Sequence, residues 1–176
     1  MKRRITLAIA GLAISAATAN AQPPRPLELG VDAGVTIGLG DNSVTVIDIP
    51  VQSARIGFPI SPRTSIEPKF ALQVITGNGD TFTSYRGELG LLYHLGSGRY
   101  PGAYHRAGMY VRPFVGVVGF SDGTSDTSGL LGAGVGFKMP LVSRLSSRFE
   151  ANFAHVFGDN DFNEIGLLAG LSFFTR

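Results

Sequence analysis

Apolar residues recur at every second position along most of the chain, and the alternation restarts after each cluster of turn residues. The first run, LELGVDAGVTIGL (27–39), sets Leu27, Leu29, Val31, Ala33, Val35, Ile37 and Leu39 against Glu28, Gly30, Asp32, Gly34, Thr36 and Gly38. A period of two is the pattern of a strand with one oily and one polar face. The second run, 44–60, is the least regular. Its apolar parity slips between Ile47/Ile49/Val51 and Ile56/Phe58, which predicts a bulge at Pro50 or Arg55. Further runs cover 65–76, 82–95, 108–120, 128–139 and 147–157, and an eighth carries Ile165, Leu167, Ala169, Leu171 and Phe173. Between them stand DNS, SPRT, GNGD, GSGRYPGAYHR, SDGTSD and GDND, rich in the residues that make turns. No segment reads as a helix, so the chain is an eight-stranded meander with nothing to cover a second sheet face.

Which face points outward decides the class. Charged residues make up 16% of the chain against about 25% in soluble domains. After the first 21 residues no apolar run is long enough for a helical span. The predicted strands are long; eleven residues tilted by about 40° project to roughly 28 Å, near the apolar band of membrane barrels. The polar face is rich in Gly, and opposite charges recur two residues apart in Glu67/Lys69, Arg86/Glu88 and Arg148/Glu150. Solvent has no need of such a face, whereas the interior of an eight-stranded barrel is just wide enough for side chains. The oily face therefore points out, and the expected fold is all-β, an eight-stranded antiparallel up-and-down transmembrane β-barrel.

On this parity Glu67, Lys69, Arg86, Glu88, Arg112, Lys138, Arg148, Glu150 and Glu164 share one lumen, where an unpaired charge would bear a desolvation cost. An ionic plug is expected, with a narrow gated ion path through the same residues as its rival. Bulky Phe114 and Leu168 on that parity favour the plug. Tyr93, Phe137, Phe149 and Phe173 fall on the apolar parity near the end that carries the termini, as an aromatic girdle would. At the opposite end Phe157 fits, but Phe82, Phe120 and Phe162 fall on the polar parity.

Lys2, Arg3 and Arg4, an apolar run and Ala19-Asn20-Ala21 predict a secretory signal peptide over 1–21, cut before Gln22. A Pro-rich linker (22–26) and one barrel domain (27–176) follow. Without the leader, 12 Lys and Arg stand against 13 Asp and Glu, so the formal +2 becomes −1. No basic footprint for nucleic acid is left. There is no Cys, hence no disulfide framework.

The passage SPRTSIEPKFALQVITGNGDTF, followed by ELGLLYHL, and the closing EIGLLAGLSFF resemble the small bacterial outer-membrane β-barrels of the eight-stranded OmpA/OmpX-like class. The resemblance is one of pattern over the whole mature chain. It implies a bacterial outer-membrane location, both termini in the periplasm, and short surface connections at about 40–43, 77–81, 121–127 and 158–161. It also implies the barrel-insertion machinery as a partner during biogenesis. The family's last strand ends on an aromatic, whereas here Phe174 is followed by Thr175 and Arg176.

Catalytic chemistry finds little support. A lipid-deacylating barrel of this class uses a membrane-facing His with Ser two residues on; His155 has Phe157 there instead. His94 falls on the lumen parity beside Glu88, and His105 is in a turn. SDGTSD and GDND could hold Ca²⁺ weakly, but Asp and Asn are ordinary turn residues. GLLGAGVG (129–136) has no helix after it, so a phosphate loop fails on context. The expectation is a monomeric, non-enzymatic barrel in contact with outer-membrane lipid, with a structural or surface-interaction role and no metal or cofactor. The alternatives are a porin-like pore, a lipid-modifying barrel enzyme, and a soluble secreted barrel whose oily faces line a ligand cavity.

Overall fold

The computed structural model describes residues 26–39, 45–77, 80–96, 107–121, 125–158 and 161–175; for 45–52, 75–77, 80–82 and 125 it describes the backbone alone. The expected signal peptide, the expected linker apart from Pro26, His105, the Phe82 side chain and the middle of several turns lie outside the described residues. Eight strands run β1 (Glu28–Leu39), β2 (Thr45–Pro59), β3 (Thr64–Gly77), β4 (Asp80–His94), β5 (Gly108–Ser121), β6 (Ser125–Val142), β7 (Leu145–Phe157) and β8 (Phe162–Phe174). Each pairs antiparallel with its chain neighbours, and β8 closes on β1 from Glu28↔Phe174 to Leu39↔Asn163. The closure continues one residue further, where the Thr175 amide donates to the Leu27 carbonyl at 2.9 Å. The eight-stranded up-and-down barrel read from the alternation is the fold observed.

Two elements differ from their sequence reading. β6 starts earlier and ends later than 128–139, because Asp126 pairs with Phe120 and only 122–124 are left to turn the chain. Polar turn formers so close to the strand end hid the extension. In β2 the irregularity is at Pro50 and not at Arg55. Asp32 pairs with Ser53 but Gly34 with Asp48, so the single residue 33 of β1 faces residues 49–52. Pro50, with no N–H to give a ladder, lies inside that bulge. Beyond it Ile56 and Phe58 are exposed on the outer wall and Arg55 is buried. Gly108 opens β5 at a φ of 113°, which a side chain would resist.

Following the ladders round the wall from Glu28, one circuit returns to Gly38, ten residues further along β1. That stagger belongs to strands tilted by about 40°. The tilt brings residues far apart in sequence to the same level of the interior.

The outer wall is oily. Leu29, Phe70, Leu89, Val115, Leu131, Phe153 and Leu167 are each about half exposed. The interior is charged, with Arg55, Glu67, Arg112 and Arg148 at 2% exposure or less. An interior built of ion pairs overturns the alternative in which the oily faces line a ligand cavity. Toward the end distant from the termini the lumen changes character. There Phe114, Val118, Leu130, Ala154 and Val156 form an apolar cluster with Phe162 against it. Phe162 thus serves the interior, while Phe120 is exposed.

Candidate functional site

The candidate site is the charged part of the lumen, and it is built one residue at a time from alternate positions of every strand. Arg112 on β5 is fully buried. Its guanidinium pairs with Glu88 of β4 at 2.9 Å and with Glu150 of β7 at 2.8 Å. Glu150 also pairs with Arg148, which lies two residues away on the same face of β7. Arg148 reaches across to Glu67 of β3 at 2.6 Å. Glu67 faces two more guanidiniums, those of Arg55 at 3.6 Å and Arg112 at 3.9 Å. Arg55 of β2 holds Glu28 at 2.6 Å and Asp32 at 3.0 Å, both on β1. Lys138 of β6 pairs with Glu28. At the other extremity Arg86 of β4 bridges Glu88 and Glu164 of β8, each at 2.6 Å.

These contacts form one continuous chain of ion pairs that touches all eight strands. Six cations (Arg55, Lys69, Arg86, Arg112, Lys138, Arg148) stand with six carboxylates (Glu28, Asp32, Glu67, Glu88, Glu150, Glu164), so the described lumen is neutral. Neutral groups satisfy several of the remaining valences. The Arg148 Nε donates to the Tyr110 hydroxyl at 2.6 Å, and that hydroxyl donates to Glu150 at 2.9 Å. Arg55 donates to Ser172 Oγ at 2.8 Å, which donates to Glu28 at 2.7 Å. The Arg112 guanidinium also lies over the Phe114 ring at 4.4 Å, and Arg148 over Tyr110 at 4.9 Å, favourable placements for a desolvated cation.

The arrangement depends on small residues. A Cβ at Gly30 would run into the Arg55 guanidinium, so the backbone of β1 can pass beneath that group only without a side chain. The Gly richness of the polar parity is explained here by close approach.

Of the nine charged residues expected in the lumen, the structure brings eight into the chain of ion pairs. Lys69 is buried but has no carboxylate within 4 Å among the described residues; it lies opposite Glu88 in the β3–β4 ladder. The expected Glu67/Lys69 pair is therefore not formed. Glu67 is taken by arginines from β2, β5 and β7. Glu28, Asp32, Arg55, Tyr110 and Ser172 were missed as site residues. Strand-one parity already placed the first two, whereas the bulge in β2 disguised Arg55.

The outer wall carries the aromatics expected near the termini. Tyr93, Phe137, Phe149 and Phe173 are all exposed there, and Phe137 stacks on its ladder partner Phe149 with centroids 5.0 Å apart. Phe58 joins them, once the bulge has shifted its parity. Near the distal end the wall carries hydrogen-bonded polar pairs, Tyr85 with Thr127 and His155 with Asn163 at 2.9 Å. The His155 ring is edge-on to Phe157, in the position where a nucleophilic hydroxyl would be required. His94 is not beside Glu88. It lies six residues further along β4, edge-on to Tyr110 at 6.1 Å. Among the described residues no three His, Asp or Glu side chains converge to hold a metal.

No family model and no curated protein sequence matches the chain. Solved structures do. The crystal structure of Neisserial surface protein A is similar over 84% of this chain and 96% of that one, with a TM-score of 0.63 and 16% identity. Ail, the attachment invasion locus protein of Yersinia pestis, matches over 85% and 98%, with a TM-score of 0.51 and 12% identity. The outer membrane protein OprG from Pseudomonas aeruginosa matches over 87% and 97%, with a TM-score of 0.50 and 11% identity. At such identities the likeness is one of fold, and the fold is that of the eight-stranded outer-membrane barrels.

Proposed function

We propose that the protein is a monomeric, non-enzymatic barrel of the bacterial outer membrane whose lumen is closed by its own ion pairs. Its role is structural or one of surface interaction, with the barrel-insertion machinery and outer-membrane lipid as its partners in the envelope. One observation carries the closed lumen: a neutral, buried chain of ion pairs contributed by all eight strands. A conducting path needs mobile water and ions along the axis, whereas the side chains of this network are held by one another across the lumen. The oily outer wall and the fold shared with Neisserial surface protein A, Ail and OprG support the membrane setting. Even the shortest strand, of 12 residues, spans roughly 30 Å at a tilt of about 40°, enough for a bilayer core.

The same pairs fix register. A slip of β7 by one residue would turn Arg148 and Glu150 into lipid and bring Phe149 inside. Purified protein reconstituted in planar bilayers is expected to give no steady conductance. A reproducible open state would replace the plug with the narrow ion path.

A further inference from the structure

The charges outside the lumen are sorted by barrel end. The three connections at the terminal end are 60–63, 95–107 and 143–144. They hold Arg63, Arg99, Arg106 and Arg144 and no Asp or Glu. The distal connections and the strand residues bordering them hold Asp41, Asp80, Asp122, Asp126, Asp159 and Asp161 and no Lys or Arg. Because the described lumen is neutral, the sign of the charge at each end is set by these residues, and its reach is about a Debye length, roughly 8 Å.

Two of the terminal-end arginines are placed by the structure. Arg63 is exposed, and its carbonyl accepts from the His94 amide at 2.8 Å. Arg144 is partly exposed, and its carbonyl accepts from the Phe174 amide at 3.0 Å. Each turn is thus tied to the next strand, beside the aromatic girdle. Thr64 pairs with Tyr93, and Leu145 with Phe173. Around Arg144 the β6–β7 hairpin exposes Met139, Leu141 and Val142, the last at 62%. A cation on a tethered turn, flanked by exposed apolar and aromatic side chains, matches the level where acyl chains meet headgroups.

We infer that the terminal-end rim, through Arg63 and Arg144, selects anionic phospholipid headgroups in the leaflet it faces, and that the Asp-bearing distal rim does not. The inference rests on the membrane reading above and adds a lipid class to one end of the barrel.

The absence of Trp makes each end separately measurable. Single-Trp variants Tyr93→Trp and Phe173→Trp report the terminal end, and Phe157→Trp the distal end. Each would be refolded into phosphatidylcholine vesicles, with folding verified by a heat-shifted gel band. Quenching by phosphatidylglycerol with brominated acyl chains is then compared with quenching by brominated phosphatidylcholine. The expected preference for phosphatidylglycerol is about two- to fivefold in the two terminal-end variants, with none in the distal-end variant. It should fall by about half or more when Arg63→Gln is added to Tyr93→Trp, and when Arg144→Gln is added to Phe173→Trp. Arg→Lys at the same positions should keep it, and added salt at about 0.5 M should weaken it in the parent variants. Equal quenching at both ends of a folded barrel overturns the inference, whether or not the rim binds some other anion such as a periplasmic glycan. A preference undiminished in both Gln variants does so too. Failure to give a heat-shifted band in vesicles would instead count against the membrane barrel itself.

Discussion

The two halves of the lumen are filled by opposite physics. Toward the termini it holds buried, mutually paired arginines and carboxylates, whereas toward the distal end Phe114, Val118, Leu130 and Val156 pack as in an ordinary core beside a single ion pair, Arg86 with Glu164. Apolar packing is graded and forgiving, since a lost methylene leaves a small cavity and its neighbours lean in. Ion pairing is collective, because each carboxylate removed takes a counter-charge away from cations that have already lost their water. Net stability from the ionic half is modest for that reason, while the cost of breaking it is large. Specificity of register is what such a half supplies best.

The sharpest break is at Glu67, which among the described residues is the one carboxylate faced by three guanidiniums. Glu67→Gln keeps the shape and leaves Arg55, Arg112 and Arg148 to repel one another. The expected loss is about 3–5 kcal/mol. It would be read from urea titrations of the vesicle-folded barrel, scored by the heat-shifted band. Next comes Leu130→Ala in the apolar half, for which about 2–3 kcal/mol is expected, at the low end for a buried Leu because its neighbours can lean into the space. If Leu130→Ala cost more than Glu67→Gln, the apolar cluster would be the barrel's main lock and the ion pairs secondary.

A smaller effect is expected at the end of the ion-pair chain. Glu164 pairs only with Arg86 among the described residues, and the Arg86 side chain is 22% exposed and keeps Glu88 as a second partner. Glu164→Gln should therefore cost about 1 kcal/mol or less. The gradient from Glu67 to Glu164 tests whether the penalty follows the number of desolvated partners. Equal costs at the two sites would contradict that dependence.

Parity carried much of this to the reader of the sequence. Eight alternating runs are enough to count strands, and the polar positions of β3 to β8 name most of the lumen. Partnership was not legible, for a geometric reason. Residues two apart on a strand share a face, so Glu67 and Lys69 read as a pair; yet Glu67 finds Arg148, 81 residues away. The stagger of ten residues per circuit decides who meets whom, and no local pattern encodes it. Arg148 and Glu150 do pair locally, because a guanidinium can fold back along its own strand. Arg55 was hidden by three extra residues in β2, since a parity reading carried through a bulge reverses inside and outside.

Lys69 separates contact from charge balance. It is buried to 9% exposure and completes the six cations that neutralise six carboxylates, yet among the described residues no carboxylate lies within 4 Å of it. If stability is decided by individual desolvated pairs, Lys69→Met should change it by less than about 1 kcal/mol, the smallest effect of the four. The methionine retains most of the stem that packs against the wall, so lost packing is minor. If the lumen is held instead by overall neutrality, one surplus negative charge in a narrow, low-dielectric space would be felt by all six carboxylates. Lys69→Met would then cost as much as Glu67→Gln. The two outcomes differ by several kcal/mol, well beyond the error of a urea titration. Carrying Lys69→Met into the Glu67→Gln background resolves the same point from the other side. That double variant removes one charge of each sign; only if neutrality governs should it recover much of the stability that Glu67→Gln loses.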